Sequence, residues 1–209
     1  MSEALARLSE TLSTTKCGPG PTPAYLTGHD VQFYRTDAYL TRSVVEFLSV
    51  GIRAGQPIVV IATEPHRKAF AEGLRAKGVD PDELYSGRIA VWLDARETLA
   101  SFMEGPTPNP ELFRATVGNV FEKVLNKRYY LVVRGYGEMV NLLYNDGNCD
   151  GAVQVEALWN ELAERYKYSL LCGYSVDNFL HAPGVDGFRR VCDHHTHALP
   201  LEPMDGQAA

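Results

Sequence analysis

The chain has 209 residues, 45% of them hydrophobic and 22% charged, enough to bury one full core and too few for two. A formal charge of -6, with no run of Lys or Arg to offset it, argues against direct binding to nucleic acid. The longest apolar runs, such as 57–62, fall far short of the roughly 20 residues of a membrane span. The first ten residues lack the apolar core of a signal peptide, so a soluble, cytoplasmic protein with no membrane partner is expected.

The opening stretch SEALARLSETL has helical spacing and is followed by CGPGPTP, a Pro/Gly linker that cannot continue a helix. Residues 1–27 therefore read as an appended segment, 28–200 as the domain, and 201–209 as a frayed tail. Within the domain, 31–34 suggests a short strand introduced by His29. Thr36 or Asp37 is a suitable N-cap for a helix over 38–50, where Leu40, Val44, Val45, Phe47 and Leu48 recur on one face and Gly51 ends the run. The run PIVVIA at 57–62 predicts a buried strand, followed by a helix over 65–77 with Gly78 as its stop. Residues 81–86 suggest a helical turn, 88–93 a third strand ending at Asp94, and 95–103 a helix. EGPTPNP then breaks the chain before an amphipathic helix over 110–126.

The stretch RYYLVVRGYGEM organises the rest. Residues 129–133 are apolar or aromatic without alternation, which predicts a strand buried on both faces. The polar cluster Arg134 to Glu138 would form the loop after it. Arg134 and Glu138 are four apart with two glycines between, so a sharp turn would aim both into one crevice, unless they form only a local ion pair. Helices are expected over 139–144, over 152–165 with Val155, Leu158, Trp159 and Leu162 on one side, and over 188–194. YSLLCGY at 168–174 is a further buried strand.

Strands alternating with helices predict an α/β fold with a mostly parallel central sheet covered on both faces. The carboxyl ends of its strands would bring Thr63, Glu64, Asp94, Arg134, Glu138 and Tyr174 to one edge, the usual binding edge of such sheets. There is no GxxxxGK[ST] after the first core strand, and Glu64 stands where a phosphate would sit, so the Walker A position is degenerate. There is no GxSxG motif and no cysteine in an evident electropositive loop beside a histidine, and thus no sign of an enzyme. The four cysteines, Cys17, Cys149, Cys172 and Cys192, contain no CxxC pair, and Cys172 reads as a small core residue. Cys192, His194, His195 and His197 fall within six residues. A transition-metal site for zinc or iron built from His29, Cys192, His195 and His197 stands as an alternative to a solvated helix end.

Taken in order, GHDVQFYRTDAYL, FLSVGIRAGQPIVVIATEPHR, RGYGEMVNLLYNDGN, VEALWNEL, SLLCGYSVDNF and VCDHHTHALP resemble the MEDS family, the methanogen/methylotroph, DcmR-type sensory domain. The residues that match its pattern are His29, Tyr34, Gly51, Glu64, Arg134, Gly137, Glu138, Met139, Glu156, Trp159, Cys172, Tyr174, Cys192, His195 and His197. The resemblance implies a RecA/KaiC-like fold without a P-loop, in bacterial and archaeal signalling proteins that stand alone or are joined to regulatory modules, and a role in sensing small organic molecules. The expected function is thus a non-enzymatic sensory or regulatory domain with no resident cofactor. It would bind a small organic ligand through His29, Tyr34, Glu64, Arg134, Tyr136, Glu138 and Tyr174. No kinase core or helix-turn-helix follows residue 200, so the signal would pass to a separate protein such as a histidine kinase or transcription regulator; homo-oligomerisation stays open. The alternatives are a metal-binding or redox-sensing protein and a residual KaiC-like nucleotide-binding protein.

Overall fold

The structure, a computed structural model, describes residues 7, 8, 10–12, 18–19, 27–180 and 184–202. Cys17 and the tail at 203–209 lie outside the described residues. In chain order the elements are β1 Gly18–Pro19, β2 Gly28–Tyr34, α1 Asp37–Arg53, β3 Ile58–Ala62, α2 Glu64–Ala76, α3 Pro81–Ser86 and β4 Ala90–Asp94. These are followed by α4 Ala95–Ala100, a small hairpin of β5 Met103–Glu104 and β6 Thr107–Pro108, and α5 Pro110–Phe113. Next come a π-turn at Arg114–Gly118, α6 Asn119–Leu125, β7 Val133–Gly137, α7 Met139–Asn145 and α8 Cys149–Leu162. The chain ends with β8 Tyr168–Ser175, a 3-10 turn at Val176–Phe179, α9 Gly184–Cys192 and β9 His197–Ala198.

Among the described residues seven strands form one sheet in the order β1-β9-β2-β8-β7-β3-β4, and every pairing in it is parallel. Strand periodicity sorts the side chains between two cores. Val31, Phe33, Val59, Ile61, Val133, Leu170, Cys172 and Tyr174 face one layer, which holds α4 to α9. Tyr34, Ile58, Val60, Ala62, Tyr136 and Leu171 face the other, where α1 supplies Leu40, Val44, Phe47 and Leu48 and α2 supplies Phe70 and Leu74. The expected α/β architecture with helices on both faces is therefore present.

The organising stretch is displaced from its expected position. β7 begins at Val133, so Arg134 to Gly137 are in the strand and not in a loop after it. The preceding aromatics are outside the sheet: Tyr129 is 51% and Tyr130 73% exposed. Asn126 and Lys127 take left-handed φ of 45° and 66°, which turns the chain before it enters the sheet, and Tyr129 donates its hydroxyl to Glu122 at 2.5 Å. An amphipathic ring held this way needs no strand. Gly135 and Gly137 are not turn glycines either. A Cβ on Gly135 would approach Leu170 Cδ1 to 3.1 Å, so the missing side chain makes room for the next strand.

Both chain ends contribute more than expected. Leu8 is fully buried in the larger core, so the described part of the N-terminal segment around it is docked on the domain. Gly18–Pro19, read as linker, adds a parallel edge strand beside β9. Glu202, placed in the tail, accepts the backbone N–H groups of Arg35 and Thr36 at 2.9 and 2.8 Å and the Thr36 hydroxyl at 2.7 Å, closing the start of α1. The helix expected over 110–126 runs without interruption from Pro110 to Leu125, with its hydrogen bonding switching to the π pattern over Arg114–Gly118.

Candidate functional site

β3 feeds α2 on one face of the sheet, whereas its neighbour β7 feeds α7 on the other. Adjacent strands whose exits diverge in this way leave a crevice between their carboxyl ends. Glu138, the residue that closes β7, is 1% exposed and fills that crevice. Its Oε1 accepts the backbone N–H of Thr63, the N-cap of α2, at 2.6 Å. Its Oε2 accepts the Tyr136 hydroxyl at 2.9 Å and lies 2.5 Å from His66 Nδ1. Burial alone would raise the Glu138 carboxyl, but the hydrogen bond and charge of His66 and the Thr63 N–H outweigh it and hold the group below its usual range. Burial likewise works against the His66 imidazolium, and Glu138 and Asp37 overcome it and raise the ring.

His66 links the crevice to its rim. Its ring stacks on Phe70 with centroids 5.7 Å apart, and its Nε2 lies 3.4 Å from Oδ1 of Asp37, whose side chain is 80% exposed at the start of α1. Tyr34 meets the His66 ring edge-on, and its hydroxyl accepts from Asn141 Nδ2 at 3.2 Å. Asn141 Oδ1 in turn accepts the Ser175 N–H and Asn178 Nδ2 at 2.9 and 2.8 Å, tying α7 to the end of β8. Gly173 matters here: a Cβ would come within 2.6 Å of the Tyr136 hydroxyl, so glycine lets that ring reach Glu138.

The other expected ligand-binding residues do not converge here. Arg134 pairs in register with Ile58 and Ser169, at the amino-terminal ends of β3 and β8 and thus at the opposite end of β7 from Glu138. It is 1% exposed, donates to Gln56 Oε1 and Ser169 Oγ at 3.1 Å each, and lies 4.3 Å from the Phe47 ring centroid. Arg134 Nη2 finds no hydrogen-bond partner among the described residues. Glu64 points to solvent and pairs with Lys68 at 2.6 Å, because the first turn of α2 places it away from the crevice. Asp94 caps α4 and pairs with Arg67 at 2.8 Å. The wall of the crevice thus includes Tyr34, Tyr136 and Glu138 of the expected set, but neither Arg134 nor Glu64.

Tyr174 and His29 belong to a second cluster, on the opposite face of the sheet. There His29, Glu156, Cys172 and His195 are all buried, with ligand atoms within 4.8 Å of one another. The Tyr174 hydroxyl donates to Glu156 Oε1 at 2.7 Å. Of the four residues expected as metal ligands, His29 and His195 meet here, with ring centroids 4.2 Å apart. His197 instead pairs with Asp30 on the other side of β2, its Nδ1 3.1 Å from Oδ1. Cys192 is not in this cluster either; Cys172 and Glu156 are the other two residues that converge there.

The family model described as MEDS: MEthanogen/methylotroph, DcmR Sensory domain matches residues 28–195. The chain belongs to the MEDS family. No curated protein and no solved structure matches the chain. As a MEDS sensory domain the protein has a role in sensing and signalling, and no helix among the described residues is long and apolar enough to cross a membrane.

Within this MEDS domain, sequence reasoning missed His66, Asp37, Asn141 and Glu156 as site residues. Glu156 had a legible signal, since it lies on the same helical stripe as Ala152, Val155 and Trp159, where an unpaired carboxylate would be costly. His66 had none beyond its place in the first turn after a buried strand.

Proposed function

We propose that this MEDS domain senses a small polar organic molecule at the crevice between β3 and β7, with His66 and Glu138 as the recognising pair. The observation that carries the reading is the buried carboxylate of Glu138 at the switch point of the sheet, held by three donors and connected through His66 to the surface. A hydroxyl, amine or carbonyl on the ligand would bond to His66 Nε2 in place of the exposed Asp37, while Tyr34 and Tyr136 wall the apolar part.

Displacing Asp37 releases the first turn of α1 from α2. The ligand thereby shifts the population of α1 positions, which a signalling partner reads; a ligand can do so only by binding one position better than the other. A histidine kinase or transcription regulator is the expected class of partner.

A nucleotide at this position is disfavoured, because Glu138 already occupies the N–H of Thr63 at the α2 N-terminus, the place that would cradle a phosphate.

The test is NMR of the histidine side chains during titration with short-chain alcohols, amines and carboxylic acids. The His66 resonances shift saturably with at least one class, and Glu138→Gln weakens that response at least tenfold. If no class perturbs His66 while the partner-facing output still responds to ligand, the crevice is not the sensing site.

A further inference from the structure

The cluster on the opposite face of the sheet has no part in that sensing site and has its own chemistry. We infer that His29, Glu156, Cys172 and His195 form a closed, four-coordinate zinc site. His29 comes from β2, Cys172 from the neighbouring β8, Glu156 from α8, and His195 from the turn between α9 and β9. His29 Nε2 lies 3.1 Å from Glu156 Oε2 and 3.3 Å from Cys172 Sγ. Cys172 Sγ lies 3.4 Å from Glu156 Oε2, and His195 Nε2 3.5 Å from Glu156 Oε1. Zinc–ligand bonds of about 2.0–2.3 Å require tetrahedron edges of about 3.3–3.8 Å. Three of these four separations fall inside that range and the fourth is about 0.2 Å below it, and every other pair of ligand atoms lies within 4.8 Å, so side-chain shifts seat the ion.

The outer contacts orient both imidazoles as ligands. The Asn160 amide donates Nδ2 to the His194 carbonyl at 3.0 Å, which leaves its Oδ1 to accept from His29 Nδ1 at 3.0 Å. His195 Nδ1 donates to the Val191 carbonyl at 2.7 Å. Because carbonyl oxygens only accept, each Nδ1 carries its proton, and in the neutral ring the lone pair is on Nε2, the atom turned toward the cluster. This is the backing that metal-bound histidines ordinarily have. Tyr174 does the same for the carboxylate through Glu156 Oε1. Two imidazoles, a thiol and a carboxylate converge on one buried point, and borderline-soft Zn²⁺ suits that mixture of N, S and O. Four buried protein ligands leave no open position on a four-coordinate ion, so the ion has a structural role. It ties the segment ahead of β9 to α8 and the sheet.

On binding, the Cys172 thiol becomes a thiolate and its proton passes to solvent, so zinc uptake releases one proton from sulfur per chain. The test uses the full, untagged chain purified without chelator. Elemental analysis gives close to one zinc per chain, and replacement by Co²⁺ gives the intense visible bands of a tetrahedral site with a thiolate charge-transfer band. Cys172→Ser abolishes that band and weakens zinc binding at least tenfold, whereas Cys192→Ser, at the other buried cysteine of this face, leaves both unchanged. Should Cys172→Ser fail to fold, X-ray absorption of the zinc-loaded wild type decides, with one sulfur and three nitrogen or oxygen neighbours expected. Protein isolated without metal that takes up neither Zn²⁺ nor Co²⁺ overturns the proposal, as does a metal spectrum without a sulfur ligand.

Discussion

Replacing Glu138 by Gln tests whether the crevice is held by charge or merely by shape. The carboxylate accepts three hydrogen bonds, from the Thr63 N–H, the Tyr136 hydroxyl and His66. A glutamine of the same outline still accepts from Thr63 through its carbonyl, but its amide faces the other two groups as a donor. Hydrogen bonds to a charged group contribute about 1.5–3 kcal/mol each and neutral ones about 0.5–1.5. Weakening one bond and losing or inverting two therefore costs ~2–4 kcal/mol. For a chain of this size that is a fall in melting temperature of about 5–15 °C.

The pH dependence follows from the direction of each shift. His66 is raised, so its contribution is complete below the ordinary histidine value of about 6.5 and fades as pH climbs through its higher folded value. Glu138 is lowered, so its contribution is complete above the ordinary glutamate value of about 4.3 and fades as pH drops through its lower folded value. The gap between wild type and Glu138→Gln should thus be widest between about pH 4.5 and 6.5, measured by circular dichroism melts across a pH series. A difference under ~1 kcal/mol that does not change with pH would refute the ion pair at the heart of the site.

Two further substitutions probe Arg134 from opposite sides. Gly51→Ala would ordinarily favour a helix by about 1 kcal/mol, but its Cβ would stand 2.7 Å from Arg134 Cγ and 2.9 Å from Gln56 Oε1. A net loss of ~1–3 kcal/mol in urea unfolding is expected, and a gain would show that α1 does not close on Arg134. Arg134→Ala leaves a cavity under Phe47 and removes the donors of Gln56 and Ser169. It should lower stability by ~2–4 kcal/mol in the same assay while leaving the response of the His66 NMR signals to ligand intact in the folded fraction. Loss of that response without loss of stability would restore Arg134 to the binding site.

The strands 57–62 and 168–174 and the helices over 38–50 and 65–77 were readable because each carries its own local signal, an unbroken apolar run or a 3.6-residue stripe with a cap. Their alternation carried the parallel sheet, and the ordered motifs carried the family. The stretch around Arg134 misled because an apolar and aromatic run looks alike whether it is inside a strand or in the turn before one. A four-residue shift then moved Arg134 from a loop into the buried start of β7.

The partners of Glu138 and His29 escaped the sequence for a deeper reason. His66 and Glu138 are 72 residues apart, and His29 and Cys172 are 143 apart; nothing local records that either pair meets. Strand order brings His29 beside Cys172 and sends β3 and β7 to opposite faces, opening the crevice. Local sequence specifies which segments are strands and helices, because hydrogen bonding and periodic burial act over a few residues. Which charged groups share one buried point is decided only when distant strands pair.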